Sequence, residues 1–230
     1  MDKFIDKWAF PLDDSLLEQS ARRGKQYDFQ KIAEDIIDKV HFEEEDMVLD
    51  MCCGNAALAK FVAKTCKEIH GVDHSKKLIE TAKKLKEKEN ISNLHLHLSD
   101  AMNIDKLFKE DFFDKSYCYF SFQYFDRENR ELLLEKLSRV TQRKGWIFLG
   151  DIPDKTRMWN FYPTKIKFYR EKISRRVQRK EGECDLGWWI DPKEITDWCG
   201  RKKLGMSILP QDESLPHAHY RFDVLIRNSK

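Results

Sequence analysis

Three aspartates stand where short strands are predicted to end, and carboxylates in such positions can bind hydroxyl or ammonium groups of a ligand. Asp50 and Asp73 each end an apolar run, and Asp100 follows an alternation of leucine and histidine over 94–98. Because the carboxyl ends of parallel strands meet at one edge of a sheet, we expect the three carboxylates to face one crevice. The residues therefore predict a site for a polar ligand.

A sharp turn adjoins the first of these aspartates. The segment VLDMCCGNAALAKFVA at 48–63 predicts a buried strand, a turn at Gly54 and the start of a helix. Backbone N–H groups at such a helix start point outward, so a ligand can approach the chain closely. Asp73 lies 23 residues after Asp50, a separation at which an acid can hydrogen-bond the ribose hydroxyls of a nucleotide. The turn and the acid together predict an adenosine-containing ligand.

The seven residues 50–56 resemble the first motif of the class I S-adenosylmethionine-dependent methyltransferases. That motif usually has the form D-x-G-C-G-x-G, and here it is Asp-Met-Cys-Cys-Gly-Asn-Ala. Only the middle glycine, Gly54, is kept, while Cys52 and Ala56 replace the outer two. The chain is similar in this respect to a subgroup with a D-L-C-C-G-N-G turn, associated with surface-polysaccharide gene clusters. The resemblance extends over about 46–150 and more loosely to the C-terminus.

The resemblance implies S-adenosylmethionine as cofactor and assigns residues to its parts. The backbone of 50–54 would face the methionine portion, Asp73 and His74 the ribose, and 100–102 the adenine. The cofactor-binding residues would then be Asp50, Cys52, Gly54, Asp73, His74, Asp100, Ala101, Met102 and Tyr119. A nicotinamide dinucleotide fits less well, because its pyrophosphate needs glycines at this turn and the two replacements are expected to tighten it.

Further polar residues are predicted to face the methyl acceptor. Asp151, at the end of the fifth strand, would bind a sugar hydroxyl or an ammonium, or else cap the following loop. His217 and His219 precede the last strand, and a histidine there could accept the proton of an acceptor hydroxyl; the alternative is a structural, hydrogen-bonded histidine. We therefore name Asp151, His217 and His219 as catalytic candidates. The substrate-binding candidates are Gln123, Tyr124, Trp159, Trp188 and Arg221.

A basic, aromatic stretch at 155–187 interrupts the regular order of elements. It holds ten basic residues between Lys155 and Lys180 against one acid, Glu171. Basic side chains among aromatic ones can bind phosphates and stack on bases or sugars. We predict an insertion that caps the carboxyl edge of the sheet and binds an anionic acceptor; the alternative is a solvated helix without substrate contact.

Strands and helices alternate through the rest of the chain. Strands are predicted near 47–51, 68–72, 94–98, 115–120, 146–150, 206–210 and 220–227, and helices over 27–40, 60–67, 76–89, 128–140 and 193–199. This spacing indicates βαβ crossovers. We predict an α/β fold of the Rossmann-like type: a seven-stranded, mainly parallel sheet with an antiparallel last strand and helices on both faces. One domain is expected over 1–230, with an N-terminal helical segment at 1–46.

Composition restricts the remaining possibilities. The net charge of +2 gives no global field of the kind that a nucleic-acid coat requires. No apolar run reaches the roughly 20 residues of a membrane span, and the N-terminus has no signal-peptide core, so a cytoplasmic protein is expected. The six cysteines form no CxxC pair and no His/Cys cluster with zinc-like spacing, so we predict reduced thiols and no metal.

The sequence therefore predicts a methyltransferase that modifies oxygen or nitrogen of a small-molecule or glycan-like acceptor, with a phosphorylated acceptor favoured by the insertion. One alternative is an RNA methyltransferase that uses the basic insertion to bind RNA. The other is a non-catalytic subunit that binds the cofactor or nothing. The oligomeric state is left open by the sequence.

Overall fold

The computed structural model describes residues 28–177, 183–184 and 187–229, and its centre is a seven-stranded sheet. The strand order is β3-β2-β1-β4-β5-β9-β8. These strands are β1 (Met47–Met51), β2 (Glu68–Asp73), β3 (Leu94–Leu98), β4 (Phe113–Tyr119), β5 (Thr141–Pro153), β8 (Gly205–Pro210) and β9 (Arg221–Arg227). A separate two-stranded ribbon pairs β6 (Glu183–Cys184) with β7 (Gly187–Trp188).

The sheet is parallel from β3 to β5, and β9 runs antiparallel to both of its neighbours, β5 and β8. The predicted fold is therefore confirmed. The fifth strand is longer than predicted, since β5 runs over Thr141–Pro153 where the sequence predicted a strand near 146–150. The register between β5 and β9 shifts between Leu149 and Ile152. This irregularity surrounds Asp151, whose φ is 61°.

Helices cover both faces of the sheet. They are α1 (Phe29–Val40), α2 (Ala59–Val62), α3 (Lys76–Lys88), α4 (Ile104–Leu107), α5 (Arg127–Val140), α6 (Lys165–Val177) and α7 (Pro192–Lys202). Asp28 caps α1; Tyr27, the predicted first residue, lies outside the described residues, as does the rest of 1–26. The helix predicted at 60–67 is only one turn long, and α7 continues through Gly200, the predicted cap, to Lys202. No helix among the described residues has both the length and the apolar character needed to cross a membrane.

Successive residues of the buried strands supply opposite faces, as the pleat of a strand requires. Val48 packs in the cluster that holds α1 and α2, and Leu49 packs in the cluster that holds α5 and α7. β1 is buried on both sides, which explains why its sequence is a continuous apolar run up to Asp50.

The predicted insertion is a helical segment at the carboxyl edge of the sheet. It begins with a 3₁₀ turn at Lys155–Phe161 and continues as α6. Its basic residues Lys165, Lys167 and Arg170 are exposed, as are Ile166 and Tyr169. Residues 178–182 and 185–186 lie outside the described residues. The prediction of an insertion over 155–187 can therefore be compared with the structure mainly in its first part, up to residue 177.

A buried polar network fastens α1 to β9. Lys39 on α1 bridges Asp35 (2.6 Å) and the fully buried Asp223 (2.7 Å). Asp223 also accepts hydrogen bonds from the backbone N–H of Asp151 (2.8 Å) and from Gln211 Nε2 (3.1 Å). Burial raises the pKa of Asp223 to about 6, and the Lys39 ammonium opposes that rise. The ammonium group is therefore what keeps this carboxylate ionised inside the protein.

We predict that Lys39→Met destabilises the protein by about 3 kcal/mol at pH 8, because it leaves the buried Asp223 carboxylate without its cation. The loss should shrink below pH 6, where Asp223 becomes protonated in the folded state. Urea unfolding at both pH values measures this. Lys31→Met, a change at an exposed position of the same helix, is the control; equal losses in the two variants would contradict the prediction.

Candidate functional site

The turn that follows β1 has three residues in the left-handed region. The φ angles are 61° at Cys52, 57° at Gly54 and 62° at Ala56. These are the three positions at which the resembled motif has glycine. The expected tightening is therefore not seen in the backbone: two L-residues adopt the conformation that glycine adopts more cheaply. A Cβ at Gly54 would meet no atom within 4 Å, so the turn borders open space where a ligand can approach.

Asp73 holds this turn in place. Its carboxylate accepts hydrogen bonds from the backbone N–H of Gly54 (2.9 Å) and of Ser75 (2.8 Å). Burial raises the pKa of Asp73, and these two N–H groups act against the rise. The half-exposed His74 ring lies 3.7 Å from the same carboxylate. The predicted ribose-binding pair is thus adjacent to the turn, joined to it by a direct hydrogen bond.

Asp50 is a buried carboxylate with an unused oxygen. The residue is 3% exposed, and its Oδ2 has no hydrogen-bond partner among the described residues. Burial raises its pKa to about 7, the Asp73 carboxylate adds to the rise, and the Tyr117 hydroxyl opposes it. A buried polar atom without a partner is costly. The site therefore fits a ligand that brings a hydrogen-bond donor or a cation to Asp50.

Asp100 continues the same edge beyond Asp73. The backbone N–H of Ser99 donates to the backbone oxygen of Asp73 (3.0 Å), which places the end of β3 beside the end of β2. Asp100 Oδ1 accepts from the N–H of Met102 (2.8 Å) and caps the short 3₁₀ turn at Ala101–Asn103. Asp50, Asp73 and Asp100 thus lie at or just after the ends of three neighbouring strands, and their joint contact with one ligand stays a prediction.

Tyr117 belongs to this site and was not expected from the sequence. It is fully buried on β4, in register with Asp50 on β1. Its hydroxyl has no hydrogen-bond partner of normal geometry within the part of the chain that the structure describes. Burial and the Asp50 carboxylate raise its pKa well above the ordinary value, so the phenol is neutral. The sequence carried no signal for this residue, because its place beside Asp50 depends on the register of β1 against β4.

The predicted roles of Asp151 and Arg221 need correction. The two side chains form a buried ion pair, 3% and 1% exposed respectively, and Arg221 also donates to the Asp151 backbone oxygen. The left-handed φ of Asp151 and the register shift in β5 accompany this inward placement. Neither group is exposed to an acceptor, so Asp151 is not a catalytic side chain and Arg221 is not a substrate ligand here. Tyr119 lies next to this network, since Gln211 Nε2 lies 3.2 Å from its hydroxyl.

Gln123 is also enclosed. It is 1% exposed, and its Nε2 donates to the backbone oxygen of Phe120 at 2.6 Å. Gly187 packs directly on it, since a Cβ there would lie 2.5 Å from the Gln123 backbone oxygen. This placement favours a supporting role for Gln123 beneath β7 over direct contact with substrate. Tyr124, its neighbour, is half-buried.

A cavity of about 490 Å³ opens beside the ends of β4 and β5. Trp188, a predicted substrate residue, contributes to its wall, whereas Trp159 is 58% exposed and is not part of that wall. Arg130 pairs with Glu194 at 2.8 Å within the lining. The lining residues are Asp126, Arg127, Glu128, Arg130, Lys155, Trp188, Trp189 and Glu194.

His217 and His219 lie at the carboxyl edge of β5, because β9 is antiparallel and Arg221 at its start pairs with Pro153. The His217 ring is held by the Tyr220 hydroxyl, 2.8 Å from Nδ1. His219 is exposed, and its backbone oxygen accepts from Asn160 of the insertion (2.8 Å). The His217 ring is engaged by Tyr220, whereas the His219 ring is exposed. Of the two histidines, His219 is therefore the one whose ring can contact an acceptor without loss of a hydrogen bond to Tyr220.

Comparisons with known proteins agree with this geometry. Residues 48–145 match the family model described as a methyltransferase domain. A curated relative from Methanococcus vannielii, a probable cobalt-precorrin-6B C(15)-methyltransferase, is 33% identical over 73 residues. That match covers 32% of this chain and 41% of the relative, so the chain spans well under half the length of that relative.

Solved structures show the same fold at low identity. A chain from the complex of the Haloferax volcanii Trm112 methyltransferase activator has a TM-score of 0.68 at 15% identity, with 98% of each chain covered. A SAM-dependent methyltransferase from Methanosarcina mazei has a TM-score of 0.64 at 15% identity, covering 83% of this chain and 94% of that one. Geranyl diphosphate C-methyltransferase from Streptomyces coelicolor has a TM-score of 0.64 at 12% identity, covering 98% and 87%.

The fold, the turn with its row of carboxylates and the family match define a class I methyltransferase domain. The match over 48–145 supports an S-adenosylmethionine-dependent methyltransferase of this class. The predicted cofactor is accordingly S-adenosylmethionine. The narrower subgroup inferred from the cysteine-containing turn stays a prediction.

The left-handed turn makes a prediction about stability. Ala56→Gly should change the free energy of unfolding by less than about 0.5 kcal/mol, because relief of the left-handed alanine offsets the loss of one buried methyl. Ala59→Gly, at an equally buried position inside α2, should cost about 1–2 kcal/mol, since helical alanine gains nothing from the change. Chemical denaturation of both variants measures the difference; equal losses would contradict strain at Ala56.

Proposed function

We propose that this protein transfers a methyl group from S-adenosylmethionine to an oxygen or nitrogen of an anionic acceptor. The observation that carries the proposal is the unpartnered Oδ2 of buried Asp50, beside a turn that borders open space. The methionine portion of the cofactor carries an ammonium group, which is the partner this carboxylate lacks. The cofactor supplies an electrophilic methyl on a sulfonium sulfur, and this chain positions the acceptor against it.

The remaining cofactor contacts follow from the same edge. Asp73 would bind the ribose hydroxyls with lone pairs that remain after it accepts from Gly54 and Ser75. Ala101 and Met102 would border the adenine, since the turn capped by Asp100 brings them next to the end of β2. His74 would flank the ribose from the solvent side.

The anionic character of the acceptor is supported by the basic residues of α6. The cavity wall holds three basic residues, Arg127, Arg130 and Lys155, against the acids Asp126, Glu128 and Glu194, so its formal charge is balanced. The positive charge nearby comes from Lys165, Lys167 and Arg170 of α6, which are exposed. A structural neighbour, the Streptomyces coelicolor enzyme, was solved with geranyl diphosphate, an anionic acceptor.

His219 would accept the proton of the acceptor. A hydroxyl or ammonium must lose a proton when it is methylated, and imidazole is the usual side chain for this task at neutral pH. The exposed ring stands at the same sheet edge as Asp50, next to the insertion. The Tyr220 ring contacts the His219 ring, with centroids 4.8 Å apart, and packs in turn on Phe161 and Trp189.

We predict that Asp50→Asn weakens binding of S-adenosylhomocysteine about 10- to 100-fold at pH 8, as expected when a buried charge partner is lost. In the unaltered protein, binding should tighten from pH 6 to pH 8, because a cationic ligand requires ionised Asp50, whose pKa is raised to about 7. The variant should show no such rise. Titration calorimetry across this pH range measures both effects, with the exposed Asp38→Asn as control.

Protein stability separates a binding effect from misfolding. Since the folded-state pKa of Asp50 is raised, its favourable contribution is present below pH 4 and is lost as the pH rises through 7. The unliganded Asp50→Asn protein should therefore be at least as stable as the unaltered one at pH 8. Weak binding by a destabilised variant would leave the assignment of Asp50 without support, and unchanged affinity in a stable variant would refute it.

We predict that His219→Gln lowers the rate of methyl transfer at saturating cofactor by about 10²-fold or more, the usual effect of removing a general base. Cofactor affinity should stay the same. Transfer of labelled methyl groups from S-adenosylmethionine to fractions of a cell extract provides the assay, with His217→Gln as the matched variant. A larger loss in His217→Gln would assign the base to the other histidine, and absence of transfer by the unaltered protein would favour a non-catalytic subunit. Nuclease treatment of the extract tests for an RNA acceptor.

A further inference from the structure

We propose that Glu68, His70 and His95 bind a divalent transition-metal ion, for which Zn²⁺ is the model ligand. The site is independent of the methyl-transfer site. It lies across β2 and β3, at the beginning of β2, whereas the cofactor turn adjoins the ends of these strands. No spacing along the sequence indicated it, because its ligands come from two strands.

The cross-strand register assembles the three ligands. His70 and His95 stand directly opposite each other in the parallel pairing of β2 with β3. Glu68 precedes His70 by two residues, so its side chain emerges on the same face of the sheet. The ligand atoms of the three residues all lie within 4.8 Å of one another.

Two of the three separations between ligand atoms match the coordination geometry of zinc. Glu68 Oε2 lies 3.4 Å from His70 Nε2 and 3.5 Å from His95 Nε2. Ligands about 2.0–2.1 Å from a tetrahedral zinc ion are separated by roughly 3.3–3.4 Å. Two histidines and one carboxylate form an established ligand set for zinc, with the fourth position left to water. Calcium and magnesium prefer oxygen ligands and are therefore not expected here.

The His70 ring is oriented as a metal ligand requires. Its Nδ1 lies 3.1 Å from His97 Nε2, so Nδ1–H can donate there and leave the Nε2 lone pair facing Glu68. Phe108, Phe112 and Phe113 contact the ring with centroids 5.5–5.6 Å away and fix its plane.

An ion can reach the site from solvent. The side chains of Glu68 and His95 are 39% and 42% exposed, while His70 forms the buried side. Among the strands that the structure describes, β3 stands at the edge of the sheet and pairs with β2. A metal bridging His70 and His95 would therefore fasten this edge, and binding to the folded state alone would raise its stability.

The test is a titration of the full chain, made metal-free with EDTA, with Zn²⁺. Calorimetry measures the binding of zinc, and the melting temperature with and without zinc measures its effect on stability. We expect one ion per chain and a higher melting temperature with zinc. His95→Gln and Glu68→Gln should each lower zinc affinity about 100-fold or more, and His97→Leu about 10- to 100-fold through loss of the partner of His70. His41→Asn, an exposed histidine elsewhere, should bind as the unaltered protein does.

Melting temperatures without zinc report whether each variant is folded. His95→Gln changes a largely exposed side chain, so it tests the proposal even if variants of buried His70 unfold. Absence of zinc binding by the unaltered protein would overturn the proposal and leave the cluster as a hydrogen-bonded group of histidines. Zinc binding that His95→Gln and Glu68→Gln leave unchanged would overturn it too, since the ion would then be held elsewhere, for example by the adjacent thiols Cys52 and Cys53. Spectra of the Co²⁺-substituted protein distinguish thiolate from imidazole ligands.

Discussion

The hydrogen bond from the Gly54 backbone to the Asp73 carboxylate is the interaction on which the candidate site depends. It joins the turn after β1 to the end of β2, 2.9 Å apart, and keeps the turn open toward solvent. Asp50 lies near the end of β1, just before that turn, and is held there by the pairing of β1 with β2 and β4. Loss of the bond would release the turn that lies between the two carboxylates for which we propose roles in cofactor binding.

Several buried carboxylates of this domain have a cation beside them. Asp46, Asp151 and Asp223 pair with Lys115, Arg221 and Lys39. Asp50 has no cation among the described residues, and burial raises its pKa to about 7. A buried carboxylate without a cation favours a binding site, since a ligand can supply the missing charge.

Glycine replacement in the turn shows how a motif can vary while its geometry persists. Cys52 and Ala56 keep the left-handed φ that glycine allows at lower cost. The strain is modest, of the order of 1–2 kcal/mol per residue, and the buried contacts of both side chains help to offset it. A motif search that requires glycine at all three positions would therefore miss this turn, although its backbone keeps the left-handed φ angles of the motif.

The alternation of strands and helices, the parallel sheet and the acids at strand ends could be predicted from the amino-acid sequence, because periodicity and strand-end position are local properties. Three other features became visible in the folded chain alone: Tyr117 lies beside Asp50, Asp151 and Arg221 are buried against each other, and Glu68, His70 and His95 come together. Each of these depends on register between strands or on a bulge within one. A shift of a single residue would turn every such side chain to the opposite face, and spacing along the chain carries no record of register.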